Sequence, residues 1–171
     1  MTDAGTEAPA DGANDAADRA GVAAVLDHAG VCTRNGPALW AAFEALGFAL
    51  TPVARQSAGP DRPLGTANRC AMLRGGYLEL LAVLDPALPD NGLGRLLDRH
   101  EGMHILALGI DDPDANLRRL RRAGLEVAGV SPLERPVDDP DGPRARFRRI
   151  PLPEAPEGRV QLIRHDTPDL L

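Results

Sequence analysis

The stretches VAAVLDHAGV (22–31) and GMHILALGIDD (102–112) decide how this chain folds, because each is an apolar run that carries a histidine and leads into the same punctuation. In the first, Leu26, His28, Gly30 and Cys32 alternate onto one face of a predicted strand, and in the second His104, Leu106, Leu108 and Ile110 do the same. Pro37 then opens PALWAAFEALGF, where Leu39, Phe43 and Leu46 keep helical spacing until Gly47. Asp112–Pro113 likewise opens a helix through ANLRRLRRAG that stops at Gly124. From histidine to terminal glycine the distance is 19 residues in the first case and 20 in the second.

Working outward, strands are predicted at Phe48–Ala54, Asn68–Leu73 and Gly76–Val83, the last two forming a hairpin about Gly75–Gly76. The second half answers with strands at Leu125–Val130, Arg144–Ile150 and Arg159–Arg164, and Gly59–Pro63 and Arg135–Pro143 read as loops. ALGFAL (45–50) matches RAGLEV (122–127), and YLELL (77–81) matches VQLIR (160–164). The order βαβββ therefore occurs twice, as an internal repeat. The expected fold is α+β, with module one at about 22–84, a bridge at 85–101 containing a short helix through Leu93, Leu96 and Leu97, and module two at about 102–171. Residues 1–21, built of Ala, Asp, Gly, Thr and Pro without apolar periodicity, are expected to form a disordered acidic tail outside this single domain.

With 171 residues, 43% hydrophobic and 26% charged, the chain has ordinary globular usage. Its formal charge of −6 argues against a nucleic-acid partner, which would require clustered excess cation. No run is long enough to span a bilayer and no secretory leader is visible, so a cytoplasmic protein without a membrane partner is expected. Cys32 and Cys70 fit no zinc spacing and are expected to stay reduced.

If the two modules pair about a pseudo-twofold axis, the polar residues on their first and fourth strands, His28, Glu79, His104 and Gln161, meet in one pocket. Imidazole nitrogens with carboxylate and amide oxygens suit Zn²⁺, Ni²⁺, Fe²⁺ or Mn²⁺. Taken singly, each has a plainer structural reading, as a hydrogen-bonded core histidine or an ion-pair partner. Arg144, Arg146 and Arg148 share one face of a predicted strand, where they either meet an anionic substrate or face solvent. Arg69, beside Asn68, is a second substrate-binding candidate or a structural residue at a strand start. His165 lies near an expected chain exit, and His100 ends a helix, where dipole compensation is the simpler role.

LDHAGV, GTANRCAML followed by YLELL, GMHILALGIDD and the closing VQLIRHDTPDL together resemble the vicinal oxygen chelate superfamily in its glyoxalase-like branch, over about residues 25–171. The resemblance implies an open, eight-stranded barrel-like sheet of the glyoxalase, bleomycin-resistance and dihydroxybiphenyl dioxygenase type. It implies a divalent metal at His28, Glu79, His104 and Gln161, a small-molecule substrate that offers it two neighbouring oxygens, and a homodimer. The expected function is a metal-dependent lyase or isomerase; the alternatives are a metal-free drug-binding protein and an Fe(II) extradiol-type dioxygenase. Many metal-dependent relatives carry Glu where this chain has Gln161. An amide cannot act as a base, so Glu79 is the expected catalytic carboxylate.

Overall fold

In the computed structural model, which describes residues 25–58, 61–137, 142–153, 155 and 157–170, the two leading strands pair with each other. The acidic tail lies outside the described residues. Strand β1 (Val25–Thr33) runs antiparallel to β5 (Gly102–Gly109) and forms the seam between the halves. On one side follow β4 (Gly76–Val83), β3 (Pro63–Leu73) and β2 (Ala54–Ser57); on the other follow β8 (Arg159–His165), β7 (Arg144–Pro151) and β6 (Ser131–Pro136). The single sheet of eight strands has the order β2-β3-β4-β1-β5-β8-β7-β6, and β2 and β6 approach each other so that it nearly closes.

Each module sends one helix across the outer surface. Helix α1 (Gly36–Ala45) begins where the Asn35 side chain accepts the Ala38 N–H at 3.2 Å, and α3 (Pro113–Arg122) where Asp112 accepts that of Ala115 at 2.9 Å. Both have proline in the first turn, where a missing N–H costs nothing. Both end at a glycine with positive φ, Gly47 at 93° and Gly124 at 81°. Asn35 and Asp112 are 77 positions apart, and so are Gly47 and Gly124.

Helix α1 packs on the outer face of β4, with Trp40 over Leu80 and Ala82 and its indole N–H donated to the Leu80 carbonyl at 3.0 Å. Under α3, Leu117 and Leu120 cover Ile110, Ile150 and Leu162. The inner face has its own core. Cys32, Leu81 and Ile105 meet the short helix α2 (Leu93–Leu97), and Ala107, Ala145, Phe147 and Ile163 form a second cluster. Among the described residues no helix is long and apolar enough to cross a membrane.

Two expected strands begin later than the sequence pattern suggests. Residues 48–53 make only an isolated bridge, Leu50 to Ala71, and 125–130 make no ladder; β2 starts at Ala54 and β6 at Ser131. In both segments the apolar residues serve the helix layers, Leu50 beside Trp40 and Val127 and Val130 beside Ile110, so their periodicity reports packing rather than pairing. Strand β6 tolerates Pro132 and Pro136 because it is an edge strand, and it takes in Arg135, which was expected in a loop.

Candidate active site

The geometry of the site follows from two irregularities in the seam. Leu26 pairs with Leu108 but His28 with Ala107, so Asp27 is an extra residue in β1; Gly30 pairs with Ile105 but Val31 with Met103, so His104 is an extra residue in β5. A bulge resets alternation. On β1 it sends Leu26 out to 55% exposure and leaves His28 buried at 4%.

These registers identify equivalent positions. Glu79 pairs with Gly30 on β1, and Gln161 pairs with Ala107 on β5. Gly30 thus corresponds to Ala107, His28 to Ile105 and Asp27 to His104, each 77 apart, the same interval as between the helix caps. The expectation that His104 mirrors His28 is corrected: Ile105 holds that place. His104 is buried at the α2 end of the barrel, its Nε2 2.7 Å from the His100 carbonyl and its ring 4.2 Å from that of His100, while its Nδ1 has no partner.

Around His28 the structure assembles a connected polar group. Asp27 is ionised, so it accepts from Nδ1–H of His28 and from Nε2–H of His165, both at 2.6 Å. Burial works against that charge, but the two hydrogen bonds outweigh it and hold the carboxyl at about 2. With Nδ1 committed to Asp27, the Nε2 edge of His28 faces Glu79, 4.0 Å from Oε2. The other Glu79 oxygen, Oε1, accepts from the Asn68 amide at 2.6 Å and more weakly from Gln56 at 3.5 Å. Gln56 in turn accepts from the Thr66 hydroxyl at 2.7 Å. Tyr77 stacks on His28 with centroids 4.5 Å apart, and burial followed by the charge of Glu79 pushes its phenol up, so it stays protonated.

The expected thiols play no chemical part. Burial first and Glu79 second push Cys32 and Cys70 each up to about 12, which leaves negligible thiolate at neutral pH.

Neither expected substrate-binding arginine reaches this group. Arg69 donates to the Thr51 and Leu50 carbonyls and to Glu44 at 2.8 Å, tying the chain after α1 to β3. Arg148 lies on the outer face with Arg144 and Arg146 and forms an ion pair with Asp166 at 3.0 Å. On β7 the arginine that turns inward is its neighbour Arg149, which follows buried Ala145 and Phe147 at alternate positions and reaches Gln161 Oε1 with Nη1 at 3.5 Å.

The residues present do not fit the expected four-donor metal cage. Ile105 replaces one imidazole, the Arg149 guanidinium approaches the amide that was to be another ligand, and Asn68 engages one oxygen of Glu79. Among the described residues no three His, Cys, Asp or Glu side chains cluster so as to hold a metal ion. The two-histidine, one-carboxylate set of an Fe(II) oxygenase is not assembled for the same reason.

Sequence reasoning missed Asp27, Gln56, Thr66 and Arg149. A signal for the first existed: aligning the halves on their helix caps and glycines, rather than on their histidines, gives the 77-residue interval that pairs Asp27 with His104.

Residues 26–171 match the family model described as a glyoxalase-like domain. No curated protein matches the sequence. Among solved structures, a hypothetical protein from Staphylococcus aureus is similar at 16% identity and a TM-score of 0.63, covering 82% of this chain but only 58% of its own. The methylmalonyl-CoA epimerase of Mycobacterium tuberculosis aligns at 23% identity over 81% of this chain and 86% of its own, with a TM-score of 0.53. That of Streptomyces coelicolor, in complex with 2-nitronate-propionyl-CoA, aligns at 19% identity over 85% and 96%, with a TM-score of 0.59. At these identities the likeness is one of fold.

Proposed function

The chain belongs to the glyoxalase-like domain family, and from that premise and its barrel interior we propose that it is a lyase or isomerase that moves a proton on a small carbonyl substrate with neighbouring oxygens. The observation that carries this is Glu79, a carboxylate only 9% exposed with Oε1 anchored by Asn68 and Oε2 turned toward His28, 4.0 Å from its Nε2. Anchoring one oxygen fixes the other in position, as a base that must reach a C–H bond requires.

Glu79 Oε2 takes the proton next to the carbonyl and returns it at a neighbouring atom. Asp27 cannot substitute for it, since His28 and His165 occupy both of its oxygens. Gln161, at the equivalent place in the other half, has no useful proton affinity. One working carboxylate therefore suits a proton shift between adjacent atoms. In this reading Tyr77, stacked on His28 and kept protonated, donates a hydrogen bond to a substrate oxygen. No step passes through a metal ion, because Ile105 stands where one of its ligands was expected and the Arg149 guanidinium approaches the amide oxygen of another, Gln161.

The experiment is proton exchange in D₂O, followed by NMR over a panel of 2-oxo acids, 2-hydroxy aldehydes and acyl thioesters. At least one compound should exchange the hydrogen beside its carbonyl, and Glu79→Gln should slow that exchange by about a hundredfold or more. Exchange that survives Glu79→Gln undiminished would refute the assignment of the base.

A further inference from the structure

Arg149 differs from the arginines whose charge a neighbouring carboxylate balances. Arg34, Arg69, Arg144, Arg148 and Arg164 each have a carboxylate within ion-pair distance. Arg149 has none among the described residues, although it is directed into the barrel and its Nε is buried without a hydrogen bond. An inward guanidinium without an anion is expensive to keep unless something else supplies the charge.

The surroundings strengthen the point. Arg159, on the inner face of β8 two residues before Gln161, lies close enough for its charge to act on Arg149. Burial, then the repulsion of Arg159, press Arg149 toward losing its proton, and Glu79 only partly opposes them. Arg135 on β6 faces the same interior, because it pairs with Ala145. Cations outnumber the available carboxylate there, while the apolar Ile105 occupies the position equivalent to His28.

We propose that Arg149 grips two neighbouring oxygens of the substrate with its planar fork, supplying the positive charge that a chelated metal ion would otherwise bring, so that the barrel takes small 2-oxo acids or similar carboxylates without metal. The fork geometry matches two oxygens of a carboxylate or of a carboxylate and its adjacent carbonyl. The 3.5 Å contact to Gln161 is long for a hydrogen bond and is readily exchanged for a shorter, charge-assisted one. This inference rests on the proposed function for its substrate class, but it concerns binding and not proton transfer.

The test is calorimetric titration of the full chain with oxalate and with pyruvate in a buffer containing EDTA. Binding should be the same with and without EDTA, and Arg149→Gln should weaken it roughly tenfold to a hundredfold. Arg148→Gln, one residue away and on the outer face, should leave it within about twofold. Should Arg149→Gln fail to fold, Arg149→Lys carries the test, since it keeps the charge, loses the fork and should still weaken oxalate several-fold. Glu79→Gln should bind oxalate at least as tightly as the parent while losing proton exchange, which separates failure of this inference from failure of the base assignment. No oxalate binding, binding that requires added Zn²⁺ or Ni²⁺, or equal effects at Arg148 and Arg149 would overturn it.

Discussion

Replacing Asp27 by Asn keeps the size of the side chain and removes the charge shared by His28 and His165. In the folded protein this carboxyl sits at about 2 against an ordinary value of 3.8, despite burial, because two imidazoles donate to it at 2.6 Å. At 1.36 kcal/mol per pH unit, that difference corresponds to about 2 kcal/mol of stability. Because the folded value lies below the unfolded one, the contribution is fully present above pH 4 or so and is lost as the pH falls toward 2. Urea unfolding of parent and variant at several pH values from 7 down to 2 measures it. At neutral pH Asp27→Asn should be less stable by about 2 kcal/mol, and the two curves should converge at the acid end. A gap that stays constant across the range would show that the carboxylate is not held by its hydrogen bonds and would refute the reasoning.

Gly30→Ala should lower the thermal midpoint by several degrees, because a methyl group there would stand 2.7 Å from the Cβ of Ile105, which is part of the seam and cannot swing away; an unchanged melting curve would contradict the register. Iodoacetamide at pH 8 should label Cys32 and Cys70 slowly in the native protein and readily in urea, as thiols pushed to about 12 demand, and mass spectrometry reads this directly.

Much of the fold is legible in the sequence because it is carried by local chemistry. Pro37 and Asp112–Pro113 at the helix starts, Gly47 and Gly124 at the far ends, and the Gly75–Gly76 turn each demand a particular backbone, and each stands where it was expected. The strands after Gly47 and Gly124 were misplaced because an apolar alternation cannot say whether its partners are a neighbouring strand or the underside of a helix. The site was legible only in part. The inward placement of Glu79 and Gln161 was legible by repetition, since both lie buried on the strands that flank the seam. His104 and Arg148 were each chosen one residue away from Ile105 and Arg149, the residues that face the interior. On β5 the reason is an extra residue that no propensity marks; on β7 it is a run of arginines in which composition offers no parity. Asp27 escaped notice because an acid beside a histidine is unremarkable until the ladder shows that both turn to the same side.

The extra residues at Asp27 and His104 also limit how the chain can change in length. Between them, His28 to Gly30 face Ala107 to Ile105 in a register displaced by one from the pairs on either side, Leu26 with Leu108 and Cys32 with Gly102. The first insertion opens the displacement and the second closes it, so the outer parts of the seam pair as if neither were present. Deleting one alone would leave the ladder beyond it one residue out of step and turn its apolar side chains toward water. Deleting both restores a continuous ladder with its ends in place. Soluble yield of the single and double deletions would report this directly: a lineage that loses one of these residues can keep the barrel only by losing the other.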